Sequence, residues 1–174
     1  NLFIAPLKLK EIIVSLIFTA LIRTLIGLVP AILLTSPLFG ISILELGLPL
    51  LLLFLSLYVF GISFGLFVSA GLMRFGPSFE NIAWSSLFLL APLGCIYYPI
   101  EILPNFFQII AKGLPLVYIF DETRNILLNS SINYENLKHA YLLNLIYLSL
   151  GITLFYFSFL CARLQITLFN LVDF

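Results

Sequence analysis

The chain has 174 residues, of which 62% are hydrophobic and 9% are charged, and its formal net charge is zero. A soluble domain has about a quarter charged residues, and a chain this short cannot bury so much apolar surface in one core. The neutral balance excludes a basic surface for nucleic acid, and no CxxC, HExxH, Walker-type or G-x-S-x-G motif indicates a metal site, an ATP site or a nucleophile. We therefore expect an integral, multi-pass membrane protein.

The chain begins without Met, and its first basic residues precede a long apolar segment instead of a short signal-peptide core. We therefore expect a fragment that begins inside a longer protein. The apolar region at about 12–34 predicts a first span, although Arg23 interrupts it. A charge at bilayer depth costs several kcal/mol, so Arg23 is a candidate contact of a translocation path. The alternatives are snorkelling and a span that starts after Arg23.

Three further segments lack charged residues and are long enough for helices of about 20 residues, the length that crosses a bilayer. They predict spans at about 48–72, 81–99 and 140–162. Backbone groups cannot stay unpaired in lipid, so all four spans should be α-helical. We expect one all-α membrane domain over residues 1–174. In the second span, Gly61-x-x-x-Gly65 has the spacing of a helix-packing face, although Gly is common in membrane helices generally.

Four spans place both termini on one side of the membrane. That side holds Lys8, Lys10, Arg74 and Arg163, whereas the other side holds Lys112, Arg124 and Lys138. By the positive-inside rule this distribution favours cytoplasmic termini.

Residues 100–128 are too charged to cross lipid and too apolar for a free loop. They predict a re-entrant pair of short amphipathic helices before the last span, one after Pro104 and one at about 118–128. Pro99 and Pro104 lack a backbone N–H and are expected to end or begin a helix. Pro115 is expected to separate the two short helices.

Three charged side chains in this segment have two interpretations each. Asp121 and Arg124 have i, i+3 spacing and form either a gate or a salt bridge that fixes the second short helix. Glu101 either meets a polar substrate headgroup at the outer mouth or is solvated. Glu122, Glu135 and Lys138 are interpreted as solvated charges.

An ordered set of residues carries a resemblance to a known family. It consists of Pro92-Leu93-Gly94-Cys95, Tyr98-Pro99, Glu101, Leu103-Pro104, Leu114-Pro115-Leu116-Val117-Tyr118, and Asp121 with Arg124. The order and spacing resemble the signature of ABC type-2 exporter permeases. One departure is Gly94-Cys95, where the family more often has Ser-Gly. The stretch around Pro6 resembles the cytoplasmic segment before the family's third helix, so the chain would cover about two thirds of a permease.

The resemblance implies a transport subunit that is not itself an enzyme. Family members form homo- or heterodimers of permeases on two ATPase subunits, and those partners bind ATP and Mg, whereas this chain would bind no cofactor. Candidate contacts of the ATPase are Pro6, Lys8 and Lys10. The alternative for the two lysines is contact with lipid headgroups. The expected substrate is an amphipathic or lipid-linked drug, lipid or glycan, and the expected location is the lipid of a bacterial inner membrane.

Two alternatives belong to other classes. An ion-coupled secondary transporter should have Asp or Glu inside its spans and half-helix breaks in paired positions. A structural membrane subunit or a membrane enzyme is the other alternative.

Overall fold

The computed structural model describes residues 9–39, 47–129 and 132–172. Within these ranges the regular structure is entirely helical. The α-helices are α1 (Leu9–Phe39), α2 (Leu48–Phe75), α3 (Phe79–Leu93), α4 (Asn105–Lys112), α5 (Pro115–Asn129) and α6 (Tyr134–Val172), with a 3-10 helix at Ile100–Ile102. The chain divides into two compact units, residues 1–51 and 52–174. The single domain expected over residues 1–174 stays a prediction.

Helix α1 accounts for most of the described part of the first unit. Its apolar segment Ile13–Leu34 has 22 residues, and at 1.5 Å per residue it is about 33 Å long, enough to cross a bilayer. Thr19 and Thr24 donate their hydroxyls to backbone carbonyls one turn earlier, at 2.7 and 2.8 Å. These bonds satisfy both hydroxyls within the apolar helix. The segment agrees with the predicted span 12–34.

Three described helices are long and apolar enough to cross a membrane, and the two besides α1 are Leu48–Phe75 and Tyr134–Arg163. The predicted span 81–99 differs from the structure, because α3 has 15 residues and ends at Leu93. Pro92 lies in its last turn. The next residues form a turn in which the Gly94 N–H donates to the Leu90 carbonyl at 2.7 Å.

Helices α2 and α6 pack side by side in the same direction. The Asn144 Nδ2 donates to the Ser56 carbonyl at 2.8 Å, and a Cβ built at Gly151 would lie 3.1 Å from the Ser63 carbonyl oxygen. Both pairs are separated by 88 residues, which requires parallel helices. On each helix, one series of buried residues recurs every seven positions, as in a left-handed helix pair: Ser56, Ser63 and Ala70 on α2, and Asn144, Gly151 and Ser158 on α6.

Helices α5 and α6 form an antiparallel hairpin. Near the link between them, the Asn136 Nδ2 donates to the Glu122 carboxylate. At the other end of α5, the Tyr147 hydroxyl donates to the Gly113 carbonyl at 3.2 Å. The eleven residues between Asn136 and Tyr147 span about 16 Å of helix, so α5 lies beside the first half of α6.

Candidate functional site

The motif segments converge on one buried cluster, which we call the Cys95 cluster. Its buried members are Cys95, Ala111 and Val117, and the half-buried side chains packed against them are Tyr98, Ile100, Leu103 and Leu114. The cluster therefore joins the turn after α3, the 3-10 helix, α4 and the start of α5. These are the elements over which the sequence motif is distributed.

The turn after α3 has an unusual backbone conformation at Cys95. Its φ is +53°, in the left-handed region that favours glycine, and its side chain is fully buried. The Tyr98 hydroxyl donates to the Pro92 carbonyl at 2.9 Å across this turn. The neighbouring Gly94 is in tight contact with α5, because a Cβ there would lie 3.0 Å from the Leu116 Cδ1. A side chain at position 94 would separate the turn from α5.

Arg124 connects α5 to the turn at Cys95. Its Nη1 donates to the Cys95 carbonyl at 2.8 Å, whereas its Nη2 is 3.7 Å from the Asp121 Oδ1. Among the described residues, this buried Nη2 has no hydrogen-bond partner. The predicted i, i+3 pairing with Asp121 is confirmed as a contact, but the shorter contact is to a carbonyl 29 residues away. Sequence spacing gave no signal for that bond.

Three prolines of the motif lie where helices begin, whereas Pro92 lies inside the last turn of α3. Pro99 precedes the 3-10 helix, Pro104 precedes α4 and Pro115 is the first residue of α5. These three positions confirm the predicted helix boundaries. Glu101 lies in the 3-10 helix and is exposed, which fits both of its predicted roles.

The prediction that Glu122 is solvated was wrong. The residue is 1% exposed, its Oε1 accepts the Asn133 N–H at 2.6 Å and its Oε2 accepts the Asn136 amide at 3.4 Å. Glu122 is buried because α6 folds back over α5, so the carboxylate binds the backbone N–H of Asn133, the residue before α6, and the side-chain amide of Asn136. Helix N-termini present such unpaired donors and stabilise nearby negative charge.

We expect Glu122→Ala to lower the free energy of unfolding by about 2 kcal/mol, since it removes the buried carboxylate that accepts from the Asn133 N–H and the Asn136 amide. Glu122→Gln keeps one acceptor oxygen and should cost less. The measurement is reversible unfolding in mixed micelles followed by far-UV circular dichroism. Glu135→Gln, an exposed acid on the first turn of α6, is the control. Equal effects at positions 122 and 135 would mean that the buried carboxylate is not what holds the hairpin.

A polar pair inside the α2–α6 contact was not predicted. Asn144 is 1% exposed, and its Nδ2 donates to both the carbonyl and the hydroxyl oxygen of Ser56 at 2.8 Å. Its Oδ1 has no hydrogen-bond partner in the described part of the chain. The sequence offered one indication of this contact, since Asn144 is an amide in an otherwise apolar segment. Polar side chains inside membrane spans usually face a neighbouring helix.

Other candidate residues lie in the unit of residues 1–51 or outside the described ranges. Arg23 lies near the middle of α1, in the unit of residues 1–51. Lys10 is exposed in the first turn of α1, whereas Pro6 and Lys8 lie outside the described residues. The translocation-path role of Arg23 and the ATPase contacts stay predictions.

Among the described residues, no group of three or more His, Cys, Asp or Glu side chains could hold a metal ion. Comparison of the chain with protein-family models, curated proteins and solved structures gives no match. The fold and the Cys95 cluster are therefore what a functional proposal can use.

Proposed function

We propose that the chain is part of the membrane-spanning subunit of an ATP-driven exporter of the ABC type-2 permease class. The observation that carries the proposal is the bond from Arg124 to the Cys95 carbonyl, because it joins the first and last parts of the sequence motif. The φ of +53° at Cys95 adds support. The family pattern has Gly at this position, and glycine is the residue that this conformation favours.

The parallel packing of α2 and α6 supports a fourth membrane crossing. If both helices cross the bilayer in the same direction, the chain must return to the opposite face between them. Residues 76–78 are too short to cross, so the return falls on α3 and the segment after it. Helix α3 is about 22 Å long, and the turn at 94–98 covers the remaining depth of a core about 30 Å thick.

The hairpin of α5 and α6 supports a re-entrant segment. Gly113, at the corner between α4 and α5, is bonded to Tyr147, seven residues inside the predicted span 140–162. This position corresponds to about 10 Å below the start of that span. The backbone carbonyl at this corner is therefore bonded to protein, which is the condition for irregular backbone at membrane depth.

Four crossings predict that the two ends of the α3–α5 region lie on opposite faces of the membrane. We expect a cysteine at Ser78 to react only with a membrane-permeant thiol reagent in intact cells. A cysteine at Ile132 should also react with an impermeant one. Cys161→Ser removes the exposed native thiol, and Cys95 is buried. Labelling of both positions from the same side would rule out the fourth crossing.

In this proposal the chain contributes helix motion, not bond chemistry. ATP and Mg are bound by a partner ATPase, and a second permease copy completes the transport path. Differential binding of an amphipathic or lipid-linked substrate to inward- and outward-open states moves the substrate. The termini are cytoplasmic and the membrane is a bacterial inner membrane.

The test is affinity purification of the tagged full-length product in mild detergent, with mass spectrometry of co-purifying proteins. We expect a stoichiometric ATPase with a Walker motif. Arg124→Ala is the matched variant, because a subunit with a disrupted Cys95 cluster should recover less of that partner. An intact, folded product without any ATPase would favour the ion-coupled or structural alternatives.

A further inference from the structure

An open groove of about 540 Å³ follows one face of the first turns of α6. The side chains along it include Tyr134, Glu135, Lys138, Tyr141, Leu142 and Leu145. Leu137 also lines the groove, between the two charged residues, and Leu142 and Leu145 follow them along the helix. Because the candidate span begins at Tyr134, the charges are expected at headgroup level and these last two leucines at acyl-chain level.

The two charges at the mouth of the groove have a defined order. Glu135 precedes Lys138 by three residues, so Lys138 is about 4.5 Å closer to the apolar part of the helix. Their side chains form an ion pair at 3.7 Å and are 72% and 77% exposed. Such an exposed pair is weak, so charges of a ligand can replace it at little cost.

A zwitterionic phospholipid has the complementary order of charges. Its phosphate is attached next to the glycerol and the acyl chains, and its ammonium group is outermost. With the acyl chains along α6, the phosphate lies at the level of Lys138 and the ammonium lies at the level of Glu135. An anionic headgroup without an amine would place no cation near Glu135.

We propose that this groove binds one phospholipid with a zwitterionic headgroup. Lys138 binds the phosphate and Glu135 binds the ammonium group, next to the ring of Tyr134, whose face attracts cations. Leu142 and Leu145, which are 65% and 70% exposed, contact an acyl chain. This binding requires that α6 crosses a bilayer but does not require an ATPase. Its failure is therefore distinguishable from failure of the proposed function.

The test is native mass spectrometry of the purified full chain, titrated in detergent with phosphatidylethanolamine, phosphatidylglycerol or diacylglycerol. We expect phosphatidylethanolamine to bind about fivefold more tightly than phosphatidylglycerol, the effect of one exposed charge pair. Diacylglycerol should bind most weakly. Equal binding of the three lipids, or retention of detergent alone, would overturn the proposal.

The decisive variant exchanges the two charges, Glu135→Lys with Lys138→Glu. It keeps an ion pair on the helix but reverses the order, so the preference for phosphatidylethanolamine should disappear. Lys138→Arg should keep the preference, and Lys112→Ala, which changes an exposed lysine on α4, is the control. Far-UV circular dichroism establishes that each variant is folded. An unchanged preference in the folded exchange variant would refute the assigned orientation and the proposal with it.

Discussion

Replacement of Arg124 by Ala is expected to lower the free energy of unfolding by about 2 kcal/mol, roughly a 30-fold change in the folding equilibrium. The substitution removes the charged donor bound to the Cys95 carbonyl at 2.8 Å. This bond joins α5 to the turn after α3. Reversible unfolding in mixed micelles measures the change. Because this bond joins the first and last parts of the motif, the proposed exporter should lose most of its transport activity in this variant as well.

Two further variants separate the hydrogen bond from the ion pair. Asp121→Asn removes the charge 3.7 Å from Arg124 but leaves the bond to Cys95, so it should cost less than about 1 kcal/mol. Arg124→Lys keeps the charge but replaces the planar donor group by a shorter point charge, and it should be intermediate. If Asp121→Asn cost as much as Arg124→Ala, the ion pair and not the carbonyl bond would hold the cluster.

The membrane spans were the most predictable part of the fold. Predicted spans at 12–34, 48–72 and 140–162 match the apolar segments of α1, α2 and α6. Length and hydrophobicity are local properties, and a bilayer imposes a minimum on both. Helix α6 begins at Tyr134, before the predicted span at 140–162. The span was predicted from the charge-free segment, which starts only after the polar first turns of this helix.

The proline positions were predictable for the same reason. Each proline constrains its own backbone and that of its neighbour, whatever the rest of the chain does. The three boundaries predicted at Pro99, Pro104 and Pro115 therefore hold.

The contacts between distant residues were not predictable from spacing. In the sequence, Glu122 cannot be distinguished from an exposed acid on a helix, because its burial results from the packing of α6 against α5. The partner of Arg124 is a backbone carbonyl, a group that every residue has, so no sequence pattern identifies it. Residues 100–128 could be placed on short helices, but which charged side chain became buried depended on the rotation of α5 against α6.

The GxxxG spacing on α2 does not mark its contact with α6. The spacing of Gly61 and Gly65 indicated a close helix contact, yet within the unit of residues 52–174 a Cβ built at either glycine meets no atom within 4 Å. The contact with α6 uses Ser56 and Ser63 instead. On α6, the small residue at this contact is Gly151, and no small residue lies four positions before or after it.

Gly151→Ile is expected to have the largest effect on stability, a loss of about 3 kcal/mol in the free energy of unfolding. Even the Cβ atom would lie 3.1 Å from the Ser63 carbonyl oxygen and 3.3 Å from the Leu66 Cβ. Neither is the end of a flexible side chain, so the helices must separate. Gly151→Ala should cost about 1 kcal/mol, and Gly61→Ile, on the open face of α2, should stay within about 0.5 kcal/mol of the unchanged protein.

A double-variant cycle tests whether the loss arises from separation of α2 and α6. Asn144→Leu alone removes the bonds to Ser56 and should cost about 1 kcal/mol. If Gly151→Ile already forces the helices apart, those bonds are broken beforehand. The second substitution should then cost almost nothing in that background. Full additivity would instead mean that α2 and α6 stay together around Asn144 and that the glycine contact is a separate, local requirement.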